Sequence, residues 1–246
     1  MSKLAKKVAL VTGGSRGIGA AIAKRLAADG ASVAFTYAKD SSAASAVVKA
    51  IELAGGKAVA IRADAANVEA VRGAVEKAVA TFGRLDVLVN SAGTAIPKPF
   101  EEATQEEMDR VININLRGVL ATTQAALKHM NKGGRIIMIG SAVGERAVAP
   151  GLVPYAATKG AIKMFTQALS REVASRGITV NNIQPGPIDT DLNPASGDWA
   201  VPQKAATSLD RYGRVDEVAA LVAFVAGPES SYITGANLTV DGGMNA

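Results

Sequence analysis

The 246-residue chain has no cysteine. Disulfides and thiolate metal sites are excluded, and nothing marks a small secreted scaffold. It has one histidine, His129, too few for a His-based triad or a zinc site. His129 falls at the expected end of a helix, where it reads as solvated or capping. Aromatic residues make up only 4% of a chain that is 48% hydrophobic, so Ala, Val, Ile and Leu must fill the core. No run of five like charges occurs, and the net charge of +5, from 27 Lys+Arg against 22 Asp+Glu, is spread along the chain. A nucleic-acid patch is unsupported, and a mild bias toward anionic small molecules is all that follows. No apolar run reaches the ~18 residues that span a bilayer. Lys3, Lys6 and Lys7 precede Val8-Ala9-Leu10-Val11, too short for a signal-peptide core. A soluble cytoplasmic protein is expected, without a metal site, a membrane or a nucleic-acid partner.

What the chain does have is rhythm. Short apolar runs at 8–11, 32–36, 58–61, 87–89, 136–139, 179–183 and 237–240 read as strands. They are rich in Val and Ile without strict alternation, as strands covered on both faces should be. Helices are expected over 20–28, 43–53, 68–81, 105–130, 155–175 and 215–226. Gly30, Gly55-Gly56 and Gly83 close the first three helices. Pro154 suits a first helical turn, and Asp216-Glu217 suit the dipole of the last helix. This alternation predicts an α/β fold: a single domain over 1–246, with a doubly wound, mostly parallel seven-stranded sheet of the Rossmann type and helices on both faces. The stretch 186–213 breaks the rhythm and is expected to be a substrate lid at the carboxyl edge of the sheet.

Val8 to Gly19 reads as a strand, a glycine-rich turn and a helix start. Gly13, Gly17 and Gly19 are spaced differently from the G-x-G-x-x-G form. The turn still offers close backbone approach, with unpaired N–H groups behind it, which favours a pyrophosphate. NAD selection uses an acid ~20 residues beyond such a loop. Here the second strand ends Phe35-Thr36-Tyr37-Ala38-Lys39, with no acid inside it, although Asp40 follows closely. Arg16 and Lys39 would meet a 2′-phosphate, so NADP(H) is the expected cofactor.

Tyr155 and Lys159 stand four residues apart, on one face of a helix. A phenol ionises near pH ~10. A neighbouring cation favours the phenolate and lowers that value, so the pair can move a proton at a carbonyl or alcohol oxygen. Tyr and Lys at this spacing also occur on ordinary solvated helices. The glycine-rich turn is what favours the chemical reading.

Further segments fall into order with these. Asn90-Ser91-Ala92-Gly93 follows the fourth strand, Gly140-Ser141 ends the fifth, and Pro185-Gly186-Pro187-Ile188-Asp189-Thr190 follows the sixth. With the 12–19 turn and the Tyr155–Lys159 pair, the chain resembles a short-chain dehydrogenase/reductase over residues 6–243. Within that family it is most similar to bacterial 3-oxoacyl-(acyl carrier protein) reductases and related ketoreductases. It also resembles a small bacterial group sharing the 184–191 stretch, some of which are linked to cyclic di-GMP binding.

The resemblance implies an NADPH-dependent carbonyl reductase. The alternative is a nucleotide-binding regulator of the same fold. In the first reading Tyr155 is the general acid/base, Lys159 depresses its pKa and holds the nicotinamide ribose, and Ser141 bonds the substrate oxygen. Asn115 holds a relay water, with Asn113 its near competitor. Gly13, Ser15, Arg16, Gly17, Ile18 and Gly19 form the phosphate turn, and Tyr37, Ala38 and Lys39 follow the second strand. Asp64 bonds the adenine, with Ala65 beside it. Asn90, Ala92 and Gly93 shape the pocket. Pro185, Gly186, Ile188 and Thr190 line the nicotinamide side. Asn90 and Thr190 would serve equally well as backbone ties between strands. The resemblance also implies a homotetramer, with 105–130, 155–175 and the last strand at its interfaces.

Three features depart from the carrier-protein reductases. Lys132 stands where a docking arginine is expected, although Arg176 matches the second one. Ser91 follows Asn90, and Gly242 to Ala246 lacks an aromatic tail. They bear on docking of an acyl carrier protein, not on the redox chemistry. The expected substrate is a small carbonyl or alcohol. Trp199, Ala200, Val201 and Pro202 within the lid favour a hydrophobic or aryl ketone, Trp199 either touching it or packing on the protein.

Overall fold

In the computed structural model the apolar runs become strands that meet in one sheet. Residues 3–147 and 149–246 are described. Of the expected domain span, Met1, Ser2 and Val148 lie outside the described residues. The strands are β1 (Val8–Val11), β2 (Ser32–Tyr37), β3 (Lys57–Arg62), β4 (Leu85–Asn90), β5 (Met130–Ile139), β6 (Thr179–Pro185) and β7 (Asn237–Val240). Among the described residues they form a seven-stranded sheet in the order β3-β2-β1-β4-β5-β6-β7. Every neighbouring pair is parallel, so the mostly parallel sheet expected is parallel throughout. The chain winds outward from β1 to β3 and then returns to the other side of β1 with β4. The loops leaving β1 and β4 therefore diverge and open a crevice at the carboxyl edge.

The helices are α1 (Gly17–Ala28), α2 (Ser41–Leu53), α3 (Val68–Phe82), α4 (Gln105–Ile112), α5 (Gly118–Leu127), α6 (Val153–Val173), α7 (Ala200–Ala205) and α8 (Val215–Ala226). On one face α1, α2 and α8 bury Ile22, Leu26, Ile51 and Val222 against Val11 and Phe35. On the other, α3, α5 and α6 bury Val75, Ala126 and Ile162 against Leu10, Leu88 and Ile136. Adjacent Ile136 and Ile137 serve opposite cores, as the two-residue period of a strand requires. Polar residues start several of these helices. Asp40 caps α2, Asn67 caps α3, and Thr104 with Glu107 forms a capping box on α4.

Three boundaries differ from the sequence expectation. The continuous helix over 105–130 is instead α4, a π turn at Asn113–Arg117, and α5. β5 begins at Met130, not at 136. The apolar period runs through α4, the π turn and α5 without a break, so periodicity alone does not mark that change. The 186–213 stretch is not all loop, because it holds α7. Among the described residues no helix is long and apolar enough to cross a membrane.

Candidate active site

The crevice is a cleft of about 370 Å³. One wall is the β1–α1 turn. Gly19, in the first turn of α1, lies so close to the β1–α1 turn that an added Cβ would lie 2.2 Å from the Gly13 carbonyl oxygen. Arg16, at the N-cap of α1, makes no capping bond, and the first turn holds no acid. The N–H groups at this helix start thus lack side-chain partners where they border the cleft, and their partial positive charge suits an anion. Thr12 pins the turn to the next loop, its Oγ1 accepting from Ser91 N at 2.9 Å and Ala92 N at 3.0 Å.

Beyond β2, Tyr37 and Ala38 line the cleft, whereas Lys39 is exposed and does not. Lys39 lies in the bend between β2 and α2. Asp40 is engaged elsewhere. Its carboxylate accepts from Ser42 Oγ at 2.7 Å and Ala43 N at 2.9 Å, bonds that hold its pKa below the usual carboxylate range. Arg16 is exposed at the cleft rim with no ion pair among the described residues. Asp64 and Ala65 line the next part of the wall, and Asp64 Oδ1 accepts from Ala66 N at 3.0 Å.

The opposite wall carries Ser141, Tyr155 and Lys159. Ser141 lies just beyond the end of β5, and the helical spacing of α6 brings Tyr155 and Lys159 to the same side. Lys159 Nζ lies 5.5 Å from the centroid of the Tyr155 ring and donates to Ile139 O at 2.8 Å. Ser141 lines the same wall as the phenol, and its hydroxyl favours the phenolate. Burial pushes the Lys159 ammonium down to about 8. Burial also pushes the Tyr155 phenol above its ordinary value, against the opposing influence of Ser141. This corrects the expectation that Lys159 brings the phenol down. Both groups are desolvated, and desolvation penalises the charged form of each. The Tyr155 ring stays partly accessible from the cleft.

Asn115 does not line the cleft. It is buried in the π turn, where Oδ1 accepts from Thr94 N at 2.9 Å and Nδ2 donates to Thr94 O at 2.8 Å and Thr158 Oγ1 at 3.2 Å. Thr158 in turn donates to Tyr155 O at 2.7 Å. Gly93 sits between Asn115 and Lys159, since a Cβ there would lie 3.6 Å from Asn115 Oδ1 and 3.8 Å from Lys159 Nζ. Asn90 is also behind the wall. It is buried, and its Nδ2 bonds Thr123 Oγ1 at 3.0 Å. The backbone-tie alternative fits Asn90 only as a side-chain tie to α5. Thr190 does line the cleft and is tied through its backbone to Asn193.

The other expected cofactor contacts, Ser15, Gly17, Ile18, Ala92, Gly93, Pro185, Gly186 and Ile188, all border the cleft. Sequence reasoning missed Thr36, Thr94, Arg110, Ile114, Leu192 and Asn193, which border it too. Arg110 and Ile114 come from the segment read as one uninterrupted helix, so its kink was the missing signal. Trp199 and Val201 are 53% and 77% exposed and stand outside the cleft lining, so Trp199 neither packs inside nor borders the cleft. His129 is tied to Glu76 at 2.9 Å. Arg176 donates to Leu127 O at 2.6 Å and Met130 O at 2.9 Å.

Residues 13–245 match the family model described as enoyl-(acyl carrier protein) reductase. The chain is 43% identical to the 3-oxoacyl-[acyl-carrier-protein] reductase of Synechocystis sp., with 99% of each chain covered. It is 40% identical to the cyclic-di-GMP-binding biofilm dispersal mediator protein of Escherichia coli, over 100% of both. A crystal structure of a short chain dehydrogenase from Burkholderia cenocepacia, in complex with NADP, superposes with a TM-score of 0.98 at 51% identity, covering 99% of this chain and 100% of that one.

Proposed function

The chain belongs to the short-chain dehydrogenase/reductase family of oxidoreductases, and from that premise we propose that it is an NADPH-dependent carbonyl reductase acting on a small ketone. The observation that carries this reading is the meeting of Ser141, Tyr155 and Lys159 in one cleft with the uncapped start of α1. The cleft fits an NADP nucleotide chemically: open N–H groups suit the pyrophosphate, and the exposed Arg16 guanidinium, in no ion pair among the described residues, suits the 2′-phosphate. Asp40, the acid that would favour NAD, is committed to capping α2. When bound, the reduced nicotinamide supplies hydride to the carbonyl carbon.

The protein's part is the oxygen. Tyr155 gives its proton to the developing alkoxide, and Ser141 donates a hydrogen bond to the same atom. A phenol held above its ordinary pKa stays protonated at neutral pH and is ready to donate. Lys159, still largely protonated near pH 7, stabilises the phenolate left behind. Asn115 fixes the Thr94 backbone and Thr158 rather than facing substrate, so its place in a proton relay runs through those neighbours. Arg176 is occupied with two backbone carbonyls, which favours a free ketone over a carrier-bound acyl group. The exposed Ile112, Leu120 and Met164 support a homotetramer assembled through α4, α5 and α6.

Absorbance at 340 nm over oxo-thioesters, diketones and aryl ketones, with NADPH or NADH, tests the activity. Tyr155→Phe is expected to lose turnover by about 10²–10⁴-fold with NADPH binding unchanged; full turnover in that variant ends the assignment. A second reading, a binding protein for a cyclic dinucleotide, draws on the 40% identical E. coli relative. Equilibrium binding of cyclic di-GMP beside the activity screen separates the two.

A further inference from the structure

The residues after β7 fold back onto the loop that carries Ser141. Asn245 Nδ2 donates to Ala142 O at 2.9 Å, and Arg146 Nη2 donates to Met244 O at 3.2 Å. Asp241 shapes this segment, its carboxylate accepting from Gly243 N at 3.0 Å and Asn245 N at 3.1 Å. Leu209 N donates to Gly242 O at 3.1 Å, so the same segment also grips the stretch that follows β6. On the far side of the Ser141 loop, Glu145 pairs with Lys163 of α6 at 2.7 Å. The loop is thus held between α6 on one side and residues 241–245 on the other.

The choice of asparagine at 245 is not explained by packing. Its Oδ1 is buried without a partner among the described residues, a cost an apolar side chain would avoid. Folding of the loop does not need the amide either. Ala142 O also accepts from Glu145 N at 3.0 Å and Arg146 N at 3.2 Å. What Asn245 adds is a bond from outside the loop to the residue directly after Ser141.

We propose that Asn245 is a positioning residue for Ser141. Its amide N–H fixes the Ala142 peptide and so the angle at which the Ser141 hydroxyl meets the Tyr155 phenol. The inference rests on the reductase reading above and assigns part of its precision to a residue remote from the α1 wall. Small displacements of an aligned group are felt in the chemical step, so the loss should appear in kcat and not in cofactor binding.

The test is Asn245→Asp, of the same shape but without the donor, beside Asn245→Ala. Both are expected to lower kcat about tenfold, with KM for the ketone changed less and the NADPH Kd unchanged. Asp should be the worse of the two, because it sets carboxylate against carbonyl. Hydrogen exchange at the Val143 and Gly144 amides should quicken in both variants, while α6 stays protected. Unchanged exchange at those amides overturns the proposal, as does unchanged kcat in an active protein. A wild type that reduces no carbonyl defeats the reductase reading instead, and the exchange result still decides whether Asn245 holds the loop.

Discussion

Lys159 buries an ammonium whose hydrogen-bond partner among the described residues is the Ile139 carbonyl. Its pKa falls from 10.5 to about 8, so the folded chain releases this proton more readily than the unfolded one. Below about pH 8 both states are charged, and the folded state carries the whole burial penalty. Between about 8 and 10.5 the unfolded state keeps a proton that the folded state has shed, so stability rises with pH, by at most about 1.4 kcal/mol per pH unit. Urea unfolding of wild type and Lys159→Met should therefore show the wild type gaining on the variant as pH rises through that window. Parallel curves would mean that the ammonium is not penalised. The pair itself was legible, because four-residue spacing on a helix fixes a shared side. The burial that raises the phenol was not, since it depends on walls from β5 and the Gly93 loop. The alternative left open for Asn90 could have been narrowed by strand parity: it shares the face of Leu88, which looks toward α5.

Gly118 decides how the segment between α4 and α5 sits. A Cβ at this position would lie 2.1 Å from the Ala65 carbonyl oxygen, on the loop that carries Asp64. Two effects compete in Gly118→Ala. Helix propensity favours Ala by about 1 kcal/mol. Overpacking against fixed backbone costs about 1–3 kcal/mol, and a contact this short belongs at the upper end. The expected balance is a loss of about 1–2 kcal/mol, seen as a fall in Tm of roughly 3–6 °C for a chain of this size. Activity should fall as well, because the neighbouring π turn carries Asn115 and through it Thr158 and Thr94. A variant as stable as the wild type would show that the loop simply moves aside. No pattern in residues 105–130 announces the π turn. Directly after it Gly118 meets the β3–α3 loop, a tertiary approach that a one-dimensional period does not contain.

At the scale of the whole chain, the order of short apolar runs and helices was enough to foresee a parallel, doubly wound sheet. Such a sheet opens a crevice where winding reverses, between β1 and β4. That is why turns far apart in sequence border a single cleft. The β1–α1 turn, the end of β2, the Gly93 loop, the end of β5 and the Pro185 turn all leave the carboxyl edge there. A ligand spanning them ties several elements of the fold together and must stabilise all of it by mass action. At a hundred times its Kd, NADPH is expected to add about 2.7 kcal/mol, which is a rise in Tm of roughly 5–10 °C. In the proposed reading the 2′-phosphate would meet Arg16 at the rim, while the Asp40 carboxylate is engaged in its capping bonds. NADH at equal concentration should therefore give a smaller rise. In Arg16→Ala the NADPH rise should shrink to the NADH value, because the variant removes the charge that tells the two apart and leaves the α1 N–H groups in place. Equal rises for the two cofactors in the wild type would assign the discrimination elsewhere and remove Arg16 from it.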